Sequence, residues 1–286
     1  MTSFPTTGRI TAYLDIERGD IRVVAGDEDV TVVDVTPTDP TNEKDRRAAE
    51  ATTVTCADGH LRVAGPKNGV VGLSKKYGSV RVSVRLTSGS ELDAHAALGE
   101  IAVEGELGGC RAKTSAGDIR VQAATSADLR TGIGIVVAGD IDGDTYCSTG
   151  SGAVHIDRIG GRAEVKNSNG DTRISDSGGP LRVKSANGSI SVDRAQGNVV
   201  ATTANGNLRI GCAESGSVQL KTSLGRIEVG IPTGTSAMLD LKTSYGTVRN
   251  GLDASDQPAA GEPTVEVEAH TSAGDIDVVR VPVGGP

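Results

Sequence analysis

Hydrophobic and polar positions follow one another in a fixed cycle along most of this chain. Ten glycines mark its phase: Gly99, Gly117, Gly134, Gly152, Gly170, Gly188, Gly206, Gly225, Gly246 and Gly274. Most gaps are 17 to 19 residues, the four from Gly134 to Gly206 are each 18, and only the last two widen, to 21 and 28. Two and four residues after the glycine stand aliphatic pairs such as Ile119 and Val121 or Leu208 and Ile210, with Arg120 and Arg209 between them. Seven and five residues before it stand Leu181 and Val183, or Val218 and Leu220. This period-two alternation predicts strands with one buried face. Three residues before the glycine a small polar residue recurs (Thr114, Thr131, Thr149, Asn167, Ser185, Thr203, Thr222). Each repeat therefore reads as two short strands and two turns. One turn carries Asn169-Gly170, Asn187-Gly188 and Asn205-Gly206, where Asn and Gly tolerate positive φ. The other recurs at Gly143, Gly161, Gly179 and Gly197, again 18 apart.

Asn-Gly between alternating runs also suits an antiparallel hairpin. A hairpin explains one repeat but not the return of the same side-chain class at each coil position. Parallel stacking, with Thr over Thr, Asn over Asn and Val over Ile about 4.8 Å apart, explains it directly. One coil buries too little apolar surface to offset the entropy of ordering it, so only an array of coils is stable. The expected fold is all-β, a single-chain parallel β-solenoid with coils of about 18 residues.

The frame is regular over residues 99–286, read as one continuous body, and loose over residues 1–98. Around Gly19, the residues Ala12, Leu14, Ile21 and Val23 fall into register, and around Gly59 so do Val54, Leu61 and Val63. Residues 40–51 are densely charged and suit a short helix, and residues 65–77 read as a loop insertion. These insertions, with the tail 281–286, are expected to cap or decorate the open strand edges of the array. Residues 252–263 read as a bulged loop between the last two coils.

The phrases TSAGDIRV (114–121), NSNGDTRI (167–174), SANGSISV (185–192), TANGNLRI (203–210) and TSAGDIDV (271–278) resemble the bacterial putative-adhesin β-strand-repeat family, a "toastrack" domain of unknown function, in its Ala/Gly/Asp-rich actinobacterial style. The resemblance runs over essentially the full length and is strongest from Gly99 onward. It implies a β-helical, non-enzymatic protein, with some relatives attached to membrane or helical segments in envelope-stress systems.

Composition narrows the picture. The chain has 286 residues and a formal charge of −8, which disfavours nucleic acid as a partner. Aromatics make up only 2%, which argues against sugar-stacking platforms of the polysaccharide-lyase kind. No secretory signal is visible at the N-terminus and no segment is apolar enough to span a bilayer, so a cytoplasmic protein is expected. Cys110 and Cys147 occupy inward positions, Cys56 precedes the Asp58-Gly59 turn, and Cys212 falls at a turn and is the one expected to be exposed. None forms a metal-spaced pair.

Gly-Asp recurs at Gly117-Asp118, Gly170-Asp171 and Gly274-Asp275, but Ile135, Ala153, Arg226 and Thr247 interrupt any ladder for calcium. His60, His95, His155 and His270 are scattered, and the strands do not form the three equal faces of a hexapeptide acyltransferase. No nucleophile elbow or phosphate loop is present, and the periodic glycines are turn formers. No enzyme activity, cofactor or metal is therefore expected. One feature stands out. Four residues before the glycine lies an outward position occupied by Lys113, Arg130, Ser148, Lys166, Lys184, Thr202, Lys221, Lys242 and His270. Stacked coils align these into a basic stripe. Its Lys113, Arg130, Lys166, Lys184, Lys221 and Lys242 are candidate contacts for a protein or an anionic envelope component. Lysines there also guard strands against lateral aggregation. The functional expectation is a non-catalytic, adhesin-like scaffold or binding module, monomeric or homo-oligomeric. The alternative is a protein whose coil ends stack into filaments, and a more distant one is an enzyme with a site at the N-terminal insertions.

Overall fold

The computed structural model describes residues 1–6, 8–27, 29–66, 78–253 and 263–282. Most of the loop at 65–77, the loop at 252–263 and the tail at 281–286 lies outside the described residues. In chain order the elements begin with β1 (Thr2–Pro5), β2 (Thr11–Gly26), β3 (Val30–Pro37), α1 (Glu43–Ala51), β4 (Thr53–Ala57), β5 (His60–Ala64), β6 (Val80–Thr87) and β7 (Glu91–Leu98). There follow β8 (Ile101–Ala116), β9 (Ile119–Ile133), β10 (Val136–Ile141), β11 (Thr145–Ser151), β12 (Val154–Ile159), β13 (Ala163–Asn169), β14 (Thr172–Ser177), β15 (Leu181–Asn187) and β16 (Ile190–Ala195). The series ends with β17 (Val199–Thr202), β18 (Leu208–Ala213), β19 (Gly216–Leu224), β20 (Ile227–Pro232), β21 (Ser236–Tyr245), β22 (Val248–Asn250), β23 (Thr264–Ala273) and β24 (Ile276–Val281).

The coils stack in parallel with like residues in register, as the repeat predicts, and the fold is a β-solenoid. Val165 pairs with Val183, Val183 with Ala201 and Ala201 with Leu220. On the second strand of each coil Ile156, Ile174, Val192, Ile210 and Val229 follow one another. All of these are buried. Short aliphatics suit this interior because neighbouring rungs are only about 4.8 Å apart.

The turns show why the repeat keeps its glycines. Gly188 has φ +137°, and a Cβ there would sit 2.1 Å from the Gly170 carbonyl oxygen of the rung below. The small polar residue three positions earlier donates to that same row of carbonyls. Thr203 Oγ1 reaches Gly188 O at 3.2 Å, Thr222 Oγ1 reaches Gly206 O at 3.0 Å, and Asn167 Nδ2 reaches Gly152 O at 3.0 Å. Turn asparagines form a ladder of their own, Asn205 to Asn187 at 2.8 Å and Asn187 to Asn169 at 2.9 Å. The Gly-Asp carboxylates accept amides of the next rung: Asp118 Oδ1 from Ile135 N, and Asp171 Oδ1 from Ser189 N, both at 2.8 Å.

A further inward ladder was not read from the pattern. Seven residues after the glycine, Ile159, Ser177, Ala195 and Ala213 stack in register and are buried. Beside it, Cys212 is buried at 1% exposure, which corrects the expected exposure of this thiol. On β18 the alternation of buried and exposed residues breaks, and Ile210, Gly211, Cys212 and Ala213 are buried in succession. Cys110 and Cys147 are buried as expected.

The chain divides into two compact units, Met1–Gly139 and Asp140–Pro286. In the first, β2 is an interior rung. Ala12 pairs with both Leu61 and Leu92, and Ile21 with both Val82 and Ile101. The later segment β5 and β6 therefore forms the outer rung. Antiparallel strands cover it, β4 on β5 and β3 on β6, and β1 in turn pairs antiparallel with β3. This corrects the coil placed around Gly59. Asp58 (φ 50°) and Gly59 (φ 75°) form a tight hairpin between β4 and β5, the geometry that Asp-Gly favours. Helix α1 lies on the capping strands. Asn42 caps it by accepting from Lys44 N at 3.0 Å, and buried Asp45 accepts from Asp39 N at 3.1 Å and Ser79 N at 2.9 Å. Gly78 passes so close that a Cβ would lie 2.2 Å from Asp45 N.

In the second unit the final coil is not outermost. Val267 pairs with both Val218 and Leu239, so β23 lies between β19 and β21, and β24 likewise lies between β20 and β22. The threonine ladder follows this order, with Thr271 Oγ1 on Gly225 O at 3.1 Å and Thr243 Oγ1 on Gly274 O at 2.9 Å. Stacking strictly in chain order is thereby corrected. The physical reason lies in the inward residues. The final coil offers Val265, Val267, Ala269, Ile276 and Val278, all buried, whereas the coil before it carries Asn250 at an inward position and exposes it. Sandwiching that amide between rungs would bury it without an assured partner.

Candidate functional site

The outward faces of the two strand columns differ in how their charges are settled. On the second-strand face of the second unit the arginines are matched. Arg173 reaches Asp193 at 2.9 Å, Arg209 reaches Asp193 at 3.3 Å and Glu228 at 3.4 Å, and Arg194 reaches Glu214 at 2.7 Å. Arg158 bridges Asp142 at 2.7 Å and Asp140 at 3.2 Å. His155 is exposed on this face.

The first-strand face of the same unit carries the candidate stripe. Its residues are in register: Ser148 with Lys166, Lys166 with Lys184, Lys184 with Thr202, Thr202 with Lys221, then Lys221 with His270 and His270 with Lys242. The last two exchange places because the final coil is inserted. Lys166 is tied to Glu164 at 2.9 Å and lies 5.1 Å over the Tyr146 ring. The bond to Lys166 holds the Glu164 carboxyl below its ordinary range, with Lys184 and Arg182 adding to the effect, against a smaller opposing push from desolvation. Lys242 is tied to Asp240 at 2.8 Å. Lys184 and Lys221 are exposed and make no ion pair among the described residues. Arg182, which the stripe reading passed over, is exposed beside Lys184 and is likewise without an ion pair among the described residues. Its signal was available, since it stands on the same strand face two residues earlier. The strands β15, β17 and β19 contain no acidic residue at all. Three cations thus stand on β15 and β19, either side of β17, and none of the three strands supplies a counter-charge.

In the first unit Lys113 and Arg130 are in register with each other and with His95. Here acids are interleaved. Arg130 reaches Asp128 at 2.6 Å, Arg111 reaches Asp93 at 3.1 Å, and His95 Nδ1 lies 3.1 Å from Asp15 Oδ1. Tyr13, Arg62, Asp93, Asp15 and His95 line a shallow depression of about 250 Å³. Among the described residues no Ser, Thr or Cys lines it. Burial, reinforced by Asp93 and Glu91, pushes the Cys110 thiol up to about 12, and burial also raises Cys212, which disfavours the reactive thiolate at both.

Comparison with solved structures returns proteins of low identity over nearly whole chains. A putative adhesin from Bacteroides fragilis shares 12% identity, covering 97% of this chain and 95% of that one, with a TM-score of 0.29. A putative lipid binding protein from Parabacteroides distasonis shares 15%, covering 97% and 95%, with a TM-score of 0.37. A putative cell adhesion protein from Clostridium sporogenes shares 11%, covering 98% of each, with a TM-score of 0.18. No curated protein matches the sequence. The family model described as Toastrack DUF4097 matches residues 137–279, which carry the most regular rungs and the unpaired cations. The chain belongs to the Toastrack DUF4097 family.

Proposed function

We propose that this protein is a non-catalytic binding scaffold that docks an anionic envelope component on the outward face of β13, β15, β17 and β19, through Lys166, Arg182, Lys184 and Lys221. One observation carries the reading. Arg182 and Lys184 on β15 and Lys221 on β19 flank β17, and none of these three strands has an acidic residue, while the adjoining face of the same unit pairs its arginines with Asp and Glu. Charges already matched within a rung ladder offer little to a partner, whereas Lys184 and Lys221, two rungs or roughly 10 Å apart with Arg182 beside the first, are free to meet separate negative charges on one partner. Among the described residues no Ser, Thr or Cys stands beside the His95–Asp15 pair, and burial keeps the Cys110 and Cys212 thiols protonated, which favours binding over catalysis.

The test is sedimentation with vesicles containing phosphatidylglycerol, against vesicles of phosphatidylcholine alone. Binding is expected only to the former and should weaken steeply between low and high salt. The double reversal Lys184→Glu with Lys221→Glu should cost at least about 10-fold in affinity, at roughly 1 kcal/mol per basic residue near a charged surface. Equal binding to both vesicles, or undiminished binding by the variant, defeats the reading. Loss of vesicle binding together with salt-sensitive capture of an acidic protein would move the same face to a protein partner.

A further inference from the structure

The outermost rung of the second unit, β21 with β22, has a strand edge that no described residue pairs with, and it presents its side chains to solvent. Met238 is 70% exposed, Tyr245 80% and Val248 41%, and Leu239 and Leu241, which hold positions buried in the other rungs of this unit, are only half-buried. In the first unit the outer rung is sealed by antiparallel strands. A ten-residue edge left open is a template for a further strand. We infer that the edge of β21 pairs antiparallel with β21 of a second copy of this chain, about a two-fold axis at Leu241.

The register follows from two features of the strand. Ser236 donates its N–H to Pro263 O, on the β23 side. Successive residues point their backbone groups to opposite sides, so Ser236, Met238, Asp240 and Lys242 face β23, whereas Ala237, Leu239, Leu241 and Thr243 offer N–H and C=O to the open edge. A two-fold at Leu241 places Leu241 opposite Leu241 and Leu239 opposite Thr243, each as a reciprocally hydrogen-bonded pair. It places Asp240 opposite Lys242 in the intervening positions, where side chains approach most closely. Asp240 and Lys242 already contact each other at 2.8 Å within one strand, so the dimer would gather two acids and two bases into one alternating cluster. Placing the axis midway between two residues leaves the edge groups misaligned, because edge-facing residues would then meet residues that face β23. Shifting the pairing by two sets Asp240 against Asp240 or Lys242 against Lys242. Hydrogen-bond parity and charge select the same alignment. The pairing consumes the edge in both copies and closes on itself, giving a dimer in place of the filament that stacked coil ends suggest.

The experiment measures the mass of the full chain by sedimentation equilibrium from low micromolar to about 1 mM, for four proteins: the native chain, Asp240→Lys, Lys242→Asp, and the double exchange. The native chain should pass from monomer to dimer and stop. Each single reversal sets like charges opposite one another twice and should weaken dimerisation by about 10-fold or more, and the double exchange should restore it. Because Asp240 and Lys242 are exposed, all four should fold alike, and circular dichroism checks this. A native chain that stays monomeric throughout, grows without limit, or dimerises equally well with either single reversal overturns the proposal. So does a monomer in which the amides of Leu239, Leu241 and Thr243 are protected from hydrogen exchange, since the edge would then be covered by the chain itself.

Discussion

The outer rung of the first unit and the outer rung of the second solve the same problem in opposite ways. Both are formed out of chain order, β5 and β6 outside β2, and β21 and β22 outside β23 and β24. In the first unit the rung is then covered by β3, β4 and α1, and Leu61, Val63, Val82 and Val84 are fully buried. In the second, the equivalent Leu239 and Leu241 are half-buried and Asn250 is exposed. A stack of identical coils does not specify its own ends, because each rung offers the same hydrogen-bond edge as the last. The ends are set by what is attached to them, and here only one outer rung carries such an attachment among the described residues.

The largest expected contrast comes from truncating matched positions. Leu61 and Leu239 hold corresponding inward positions on the first strand of their coils, Leu61 in register with Ala12 and Leu239 with Val267. Leu61→Ala removes a side chain with no exposure and should cost about 2–5 kcal/mol in denaturant unfolding of the first unit. Leu239→Ala at low protein concentration should cost about 1 kcal/mol or less, because much of that side chain already meets water. Equal costs would mean that the second outer rung is covered after all. An effect below the upper range expected for Leu61→Ala is expected at the cap itself. Asp45→Ala strands the amides of Asp39 and Ser79 and should cost about 2–3 kcal/mol, concentrated in the first unit, with hydrogen exchange rising in β3 and β6 and not in β16 or β18. A uniform rise across both units would contradict the view of Asp45 as a local clasp.

Much of this architecture was legible in the sequence, and the failures have physical causes. The stacking register could be read because turn chemistry is restrictive. Gly188 and Gly206 have no room for a side chain, and Asn187 and Asn205 must bond along the stack. The inward ladder of Ile159, Ser177, Ala195 and Ala213 was missed because it mixes polar and small residues and follows a corner where the alternation breaks. The same break in alternation hid the burial of Cys212. Rung order was illegible for a deeper reason. Thr271 and Thr243 are chemically alike, and either could bond the Gly225 carbonyl; the choice turns on Asn250, a single residue that reads as ordinary polarity until its inward position is known. At the candidate face the lysines were found by period, but Arg182 was overlooked, and the lack of acids on β15, β17 and β19 becomes meaningful only beside the paired charges of the neighbouring face.

The inserted final coil is the claim on which the bare edge and its proposed partner rest, and one crosslinking measurement reads it directly. In this fold Gln219 is in register with Glu268, and Asp240 lies one rung further out. Neighbouring parallel strands bring Cα atoms within disulfide range, about 4.4–6.8 Å, and a second rung away is out of reach. The pair Gln219→Cys with Glu268→Cys should oxidise readily to an intramolecular disulfide, and the pair Gln219→Cys with Asp240→Cys should remain free thiols. The reverse outcome would show that the coils stack in chain order and that β21 is an interior strand.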